Sequence, residues 1–150
     1  MAIITDYKSQ KFTILSFDLE CTSGDKISFP NPEKPTDKVI QIGLSLSRYG
    51  EDECYYKHII TLGTCDPLDG IVVESYQTEK EVLLAWKDLI QREDPDIIIG
   101  YNIFGFDYMF MFKRAEENNC IEEFLKLSRN IDEICATKDK DSGKYKLEES

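Results

Sequence analysis

Long apolar runs are missing from this 150-residue chain. None approaches the roughly 20 residues that a helix needs to cross a bilayer, so no membrane span is expected. The start, Met1-Ala2-Ile3-Ile4-Thr5-Asp6, lacks the basic-then-apolar order of a secretory signal. Paired cysteines are missing as well. The five present (Cys21, Cys54, Cys65, Cys120 and Cys135) are odd in number and contain no C-x-x-C spacing. That argues against a zinc site or a disulfide framework and for a reducing, intracellular compartment. Histidine is nearly absent. The single one, His58, falls inside a strand pattern with no partner motif, so it reads as a half-buried strand residue. Basic residues are scarce too: 18 Lys and Arg against 29 Asp and Glu give a net charge of −11. Phosphate binding normally shows as a basic surface. This segment alone is therefore expected to hold DNA weakly, unless bound cations or a neighbouring basic domain supply the charge.

What is present is enough for one folded domain. Hydrophobic residues make up 41% of the chain, with eight Phe, eight Tyr and one Trp. A chain of this size buries a real core, and such a composition excludes disorder.

The stretch Ser16-Phe17-Asp18-Leu19-Glu20-Cys21 sets two carboxylates at the end of an apolar strand. Residues i and i+2 of a strand share a face, so Asp18 and Glu20 look out together, roughly 6.6 Å apart along the backbone at about 3.3 Å per residue. Carboxylates that close can share a divalent cation, and paired metal ions are a standard device for cutting phosphodiesters. The plainer reading is a strand ending at a solvated rim.

Along the chain, 1–11 reads as a polar lead-in and Phe12 to Leu19 as a first strand. Apolar residues on both its faces predict a central strand covered on both sides. Thr22 to Lys38 has loop composition. Lys38 to Ser47 alternates as a second strand, and Tyr55 to Leu62 returns as a third, antiparallel one. Thr64 to Gln77 reads as mostly loop around Pro67 and Gly70. Thr78 and Glu81 form a capping box before an apolar stripe at Val82, Leu83, Trp86, Leu89 and Ile90, which predicts a helix to about Arg92 with Trp86 in the core. Asp94-Pro95-Asp96 ends it, and Ile97 to Ile99 reads as a short buried strand. After a loop at Tyr101 to Gly105, a helix begins near Phe106 and puts Asp107 in its first turn, where the dipole favours a carboxylate. Glu116 to Arg129 reads as a further helix, and Ile131 onward turns polar.

Asp107 then lies at a strand end, the usual ligand position of an α/β sheet. If the first strand lies alongside, Asp18, Glu20 and Asp107 converge, which is costly without a cation. Taken alone, Asp107 also makes sense as a helix-start stabiliser.

These residues carry a resemblance. F-D-L-E-C at Phe17 to Cys21 resembles the first exonuclease motif of family B DNA polymerases, and Y-N-I-F-G-F-D at Tyr101 to Asp107 resembles the second. F-P-N-P-E at Phe29 to Glu33, V-I-Q-I-G at Val39 to Gly43, T-E-K-E-V-L-L-A-W at Thr78 to Trp86 and D-P-D-I-I-I-G at Asp94 to Gly100 are similar to the delta-like branch of eukaryotes and large DNA viruses. The resemblance covers Phe12 to Ala115. It implies an α/β, ribonuclease-H-like mixed sheet with flanking helices, and a 3′→5′ proofreading exonuclease acting on the single-stranded 3′ end of a DNA primer. It implies that Asp18, Glu20 and Asp107 are catalytic and hold two ions, Mg2+ or Mn2+. Asn102 and Phe106 would shape the site around the terminal nucleotide, and Phe104 would either stack on a base or pack into the core. Location would be the nucleus or a viral replication site, with the remainder of a polymerase chain as partner.

One part of the family pattern is missing. The third exonuclease motif, Tyr-x-x-x-Asp, belongs well downstream of the second. Tyr145 followed by Glu149 arrives too early for it, and Lys144-Tyr145-Lys146 reads as a connector. No polymerase-domain motif is present. The expectation is therefore a C-terminally incomplete exonuclease domain over 12–150, weak or inactive alone. The alternatives are a non-catalytic structural or nucleic-acid-binding module of the same fold, or a stand-alone exonuclease.

Overall fold

The computed structural model describes residues 11–130 and 133–146. The expected lead-in lies almost wholly outside them, as does Glu149. Alternation in the sequence becomes a five-stranded mixed sheet: β1 (Thr13–Thr22), β2 (Lys38–Arg48), β3 (Cys54–Leu62), β4 (Val72–Tyr76) and β5 (Ile97–Ile99), in the order β4-β3-β2-β1-β5. β1 runs antiparallel to β2, and β2 to β3, whereas β4 is parallel to β3 and β5 parallel to β1.

Register explains which residues are buried. Leu15, Phe17 and Leu19 stand opposite Leu46, Leu44 and Ile42, and Ile42 and Leu44 stand opposite Ile60 and His58. That face carries the core. Two helices pack over it, α1 (Glu79–Glu93) and α2 (Asp107–Glu117). Phe17 is central: its ring centroid is 4.5 Å from Trp86 of α1 and 5.5 Å from Tyr108 of α2. The capping box of α1 is present, with Thr78 Oγ1 accepting from the Glu81 amide and the Glu81 carboxylate accepting from the Thr78 amide. Such a cap contributes about 1 kcal/mol. Trp86 is fully buried, as the stripe predicts.

β5 is tied to β1 at its start as well as through its ladder. The Asp96 carboxylate accepts from the Thr13 amide at 2.8 Å, and the Asp96 amide donates to Thr13 O at 2.9 Å. Arg129 spans Asp94 and Asp96, so the D-P-D run both ends a helix and anchors a strand.

Several expectations need correction. The second face of β1 is not covered among the described residues: Phe12, Asp18 and Glu20 are exposed and Ser16 half-buried. Ile97 and Ile99 are likewise exposed, because β5 is an edge strand whose outer face has nothing over it among the described residues. The 64–77 loop contains a strand, β4, built on Val72 and Val73; its short length hides it in the sequence. The helix expected over Glu116 to Arg129 is instead the end of α2, a break, and a single turn, α3 (Ile121–Phe124). Asn119 adopts a left-handed φ of 53° and interrupts the helix. His58 is fully rather than half buried. Tyr145 and Lys146 form a two-residue strand, β7, against β6 (Thr137–Lys138), rather than a bare connector. No helix among the described residues is long and apolar enough to cross a membrane.

Candidate active site

The exposed face of β1 presents Asp18 opposite Gly43 and Glu20 opposite Gln41. Nothing lies within 4 Å of where a Gly43 side chain would begin, so the glycine leaves open space beside Asp18. Immediately after Glu20 the register shifts by one residue. The extra residue is Ile40 of β2, so the bend falls on β2 beside Glu20, and bulges are frequent beside functional sites.

The second motif reaches β1 through a tight turn. Gly100 passes so close to the strand that a Cβ there would sit 2.8 Å from Phe17 O and strike the Ile103 side chain. Asn102 takes a left-handed φ of 52°, which Asn tolerates better than most residues. Its carbonyl accepts from the amides of Gly105 and Phe106. A side chain at Gly105 would collide with the Asn102 amide group. The two glycines and the asparagine thus make a turn that delivers Asp107 as the first residue of α2.

Asp107 is buried, at 3% exposure. Its carboxyl is raised above the ordinary carboxylate range, first by burial and then by the nearby charge of Asp18, against the lowering effect of its own backbone N–H and that of Leu19. The two motifs, about ninety residues apart in the sequence, therefore meet. Cys21 sits among the same charges. Burial and then Asp107, Glu79, Glu20 and Asp18 push its thiol up to about 12.

The donor set is all carboxylate oxygen, which suits hard cations such as magnesium or manganese better than zinc or copper. A cation would offset both the burial of Asp107 and the charge of Asp18. Among the described residues, however, no three His, Cys, Asp or Glu side chains form a group able to hold one ion. Asp107 is buried while Asp18 and Glu20 look outward.

Aromatic rings surround the second motif. Phe104 is 76% exposed, packing only one side on Tyr108 at 5.5 Å. Phe106 is half-buried between Phe110 and Phe29. Phe29, in the 23–37 loop, is 77% exposed and meets Phe106 edge-on at 5.2 Å. Spacing does not mark Phe29 as a site residue, because it lies in the β1–β2 connection, far in sequence from the Phe106 ring it meets. Its one signal is an aromatic residue among prolines, where no core face exists.

That loop is pinned by two buried carboxylates that no sequence pattern marks. Asp37 accepts from the amides of Gly24 and Asn31 and from the Thr36 hydroxyl, and these bonds hold its carboxyl below the usual range. Glu79, at the start of α1, pairs with Arg114 of α2, and Arg114 in turn donates to the carbonyls of Pro32 and Lys34.

The family description "DNA polymerase family B, exonuclease domain" matches residues 1–149. The chain is 48% identical over 122 residues to the DNA polymerase delta catalytic subunit of Arabidopsis thaliana, covering 81% of this chain and 11% of that protein. It is 37% identical over 150 residues to a DNA polymerase of Acanthamoeba polyphaga mimivirus, covering 95% of this chain and 9% of that one. It spans about a tenth of the length of the relatives it matches. Membership implies use of divalent metal in general terms. With two motifs in order on a mixed sheet and a match along nearly its whole length, the chain belongs to the exonuclease-domain family of family B DNA polymerases.

Proposed function

We propose that this chain is the 3′→5′ proofreading exonuclease part of a delta-like DNA polymerase, with Asp18, Glu20 and Asp107 as its metal-holding carboxylates. The observation that carries the reading is that the turn from Gly100, which passes close against Phe17 O, sets the buried Asp107 near enough to β1 for the charge of Asp18 to oppose its own. A fold keeps such a pair at a cost unless a cation relieves it. Magnesium or manganese ions, when bound, would lower the pKa of an attacking water and stabilise a leaving 3′-oxygen.

The chain's own residues do the rest. Asp18 and Glu20, on the exposed strand face, are reachable by a strand end from solvent. Asp107, rigidly set by the Gly100–Gly105 turn, fixes the inner edge of the site. Asn102 and Phe106 bound the terminal nucleotide. Phe104 and Phe29 offer exposed rings for stacking on unpaired bases, a contact that takes any base because every base has a π-face. This suits a site that must accept a frayed 3′ end of any sequence. The net charge of −11 leaves backbone neutralisation to the bound ions and to the remainder of the polymerase chain.

Calorimetric titration of manganese into this chain, beside the Asp18→Ala/Glu20→Ala double variant, tests the reading. Wild type is expected to bind about one ion weakly and the double variant none. Equal binding, or none in either, would sink it and leave a non-catalytic module of the same fold.

A further inference from the structure

We propose that the buried Glu79–Arg114 pair is a positioning device: it latches the 23–37 loop, and with it the Phe29 ring, against the start of the helix that carries Asp107. What Phe29 touches rests on the exonuclease reading above; the latch itself does not.

The pair is completely enclosed, with Arg114 at 3% and Glu79 at 4% exposure. Arg114 Nε donates to Glu79 Oε1 at 2.9 Å and Nη2 to Oε2 at 2.7 Å, a two-pronged carboxylate contact. The remaining nitrogen, Nη1, donates to Pro32 O and Lys34 O, both at 3.0 Å. Glu79 also accepts from the Val39 amide at 2.9 Å and from Asn118 Nδ2 at 2.8 Å. One ion pair therefore joins the start of α1, the last turn of α2, the start of β2 and the middle of the loop.

Such a pair is a poor stabiliser, because desolvation consumes most of the attraction, and apolar replacements of equal volume are often as stable. Its geometric value is greater. A planar guanidinium with fixed donors orients everything it binds, and the loop it holds contains Pro30, Pro32 and Pro35, which have no amide to offer a ladder. Without Arg114, the Pro32 carbonyl would lose its partner and Lys34 O would keep only the bond from the Asp37 amide. The loop's tip nevertheless points outward: Ile27 and Phe29 are 92% and 77% exposed. The fold thus commits a buried charge pair to ordering a segment that buries almost nothing.

A single helix sets the distance. α2 begins at Asp107, directly after Phe106, and its last turn supplies Arg114. The element that presents the inner carboxylate also fixes the loop, so the ring and the carboxylate keep a set spacing.

Amide hydrogen exchange on the 150-residue chain reads the latch without DNA. Arg114→Lys keeps the charge and loses the fork. It is expected to speed exchange about tenfold at the Lys34 and Asp37 amides, which close the turns around the carbonyls that Arg114 holds, while β1 and α1 stay protected. Unchanged loop exchange would overturn the proposal. The second readout is the fluorescence of a single-stranded oligonucleotide with 2-aminopurine at its 3′ end, with calcium present. Phe29→Ala is expected to weaken binding roughly tenfold. Arg114→Lys should weaken it in the same direction, and the double variant no more than Phe29→Ala alone. Additive losses would show that Arg114 acts elsewhere and would overturn the positioning role. If Phe29→Ala binds like wild type, the stacking reading of Phe29 fails, and exchange alone decides the latch. Should Arg114→Lys not fold, Asn118→Ala removes one strut without stranding a charge, and the same pattern is expected at smaller size.

Discussion

The two faces of β1 are built from alternate residues of one ten-residue strand, and they could hardly differ more. Leu15, Phe17 and Leu19 face the helices and are essentially dry. Ser16, Asp18 and Glu20 face the other way, with small or polar partners across the strand in Ser45, Gly43 and Gln41. Because the side-chain period of a strand is two, the face that holds the fold together and the face that carries the acids are separated by a single residue of backbone. The helices pack on the inner face, and the strand backbone sets Asp18 and Glu20 on the opposite one. A substitution should therefore change stability or chemistry according to the parity of its position.

The largest effect is expected on the inner face. Phe17 packs between Trp86 and Tyr108, so Phe17→Ala should cost about 3–5 kcal/mol through lost burial and the cavity left behind. Urea unfolding followed by Trp86 fluorescence would measure it. A loss below about 1 kcal/mol would mean that the core does not close on this ring.

A smaller effect sits at the far end of the same inner face, where His58 is buried beside Glu74 of β4. Tyr56 Oη lies 2.7 Å from Nδ1, and Glu74 Oε1 lies 3.2 Å from Nε2, without hydrogen-bond geometry. Burial lowers the pKa of His58 below its ordinary 6.5, opposed by Glu74, while Arg92 adds to the lowering and Glu93 opposes it. The unfolded chain therefore takes up the proton first as pH falls. Stability should be full above pH 6.5 and should decline as the pH drops below it, until the folded-state pKa is reached, by at most about 1.4 kcal/mol per pH unit. His58→Phe should remove that slope, and a profile of urea midpoints against pH for both chains would show it. An unchanged slope would assign the acid sensitivity to another group.

The contrast between the faces also explains which features are legible in the amino-acid sequence. Alternation in β2 and β3, the stripe and capping box of α1, and the placement of Asp107 in a helix's first turn are legible, because each is a local rule with a fixed period. β4 is not: Val72 and Val73 are too few to show alternation, and the strand exists because β3 offers it a parallel edge. The break at Asn119 is hidden by apolar residues continuing at helical spacing beyond it. At the candidate site, the three carboxylates are proposed from spacing and from the resemblance, whereas the Glu79–Arg114 pair has no such signal. Glu79 reads as an ordinary first-turn acid on α1, and only the tertiary fold brings Arg114 and the carbonyls of Pro32 and Lys34 to it.

The smallest effect on stability is expected where the effect on chemistry is largest. Asp18 and Glu20 are exposed and pair with no basic side chain among the described residues. Asp18→Asn should leave the urea midpoint within about 0.5 kcal/mol of wild type. Its sign should be favourable, because it removes the charge that opposes Asp107. The same change should abolish manganese binding in the calorimeter, since an amide oxygen is a weaker ligand for a hard cation than a carboxylate. A stability loss comparable to that of Phe17→Ala would mean that Asp18 holds the strand in place and that the two faces are not independent. A small gain in stability with loss of the ion is the signature of a residue kept for chemistry at the fold's expense.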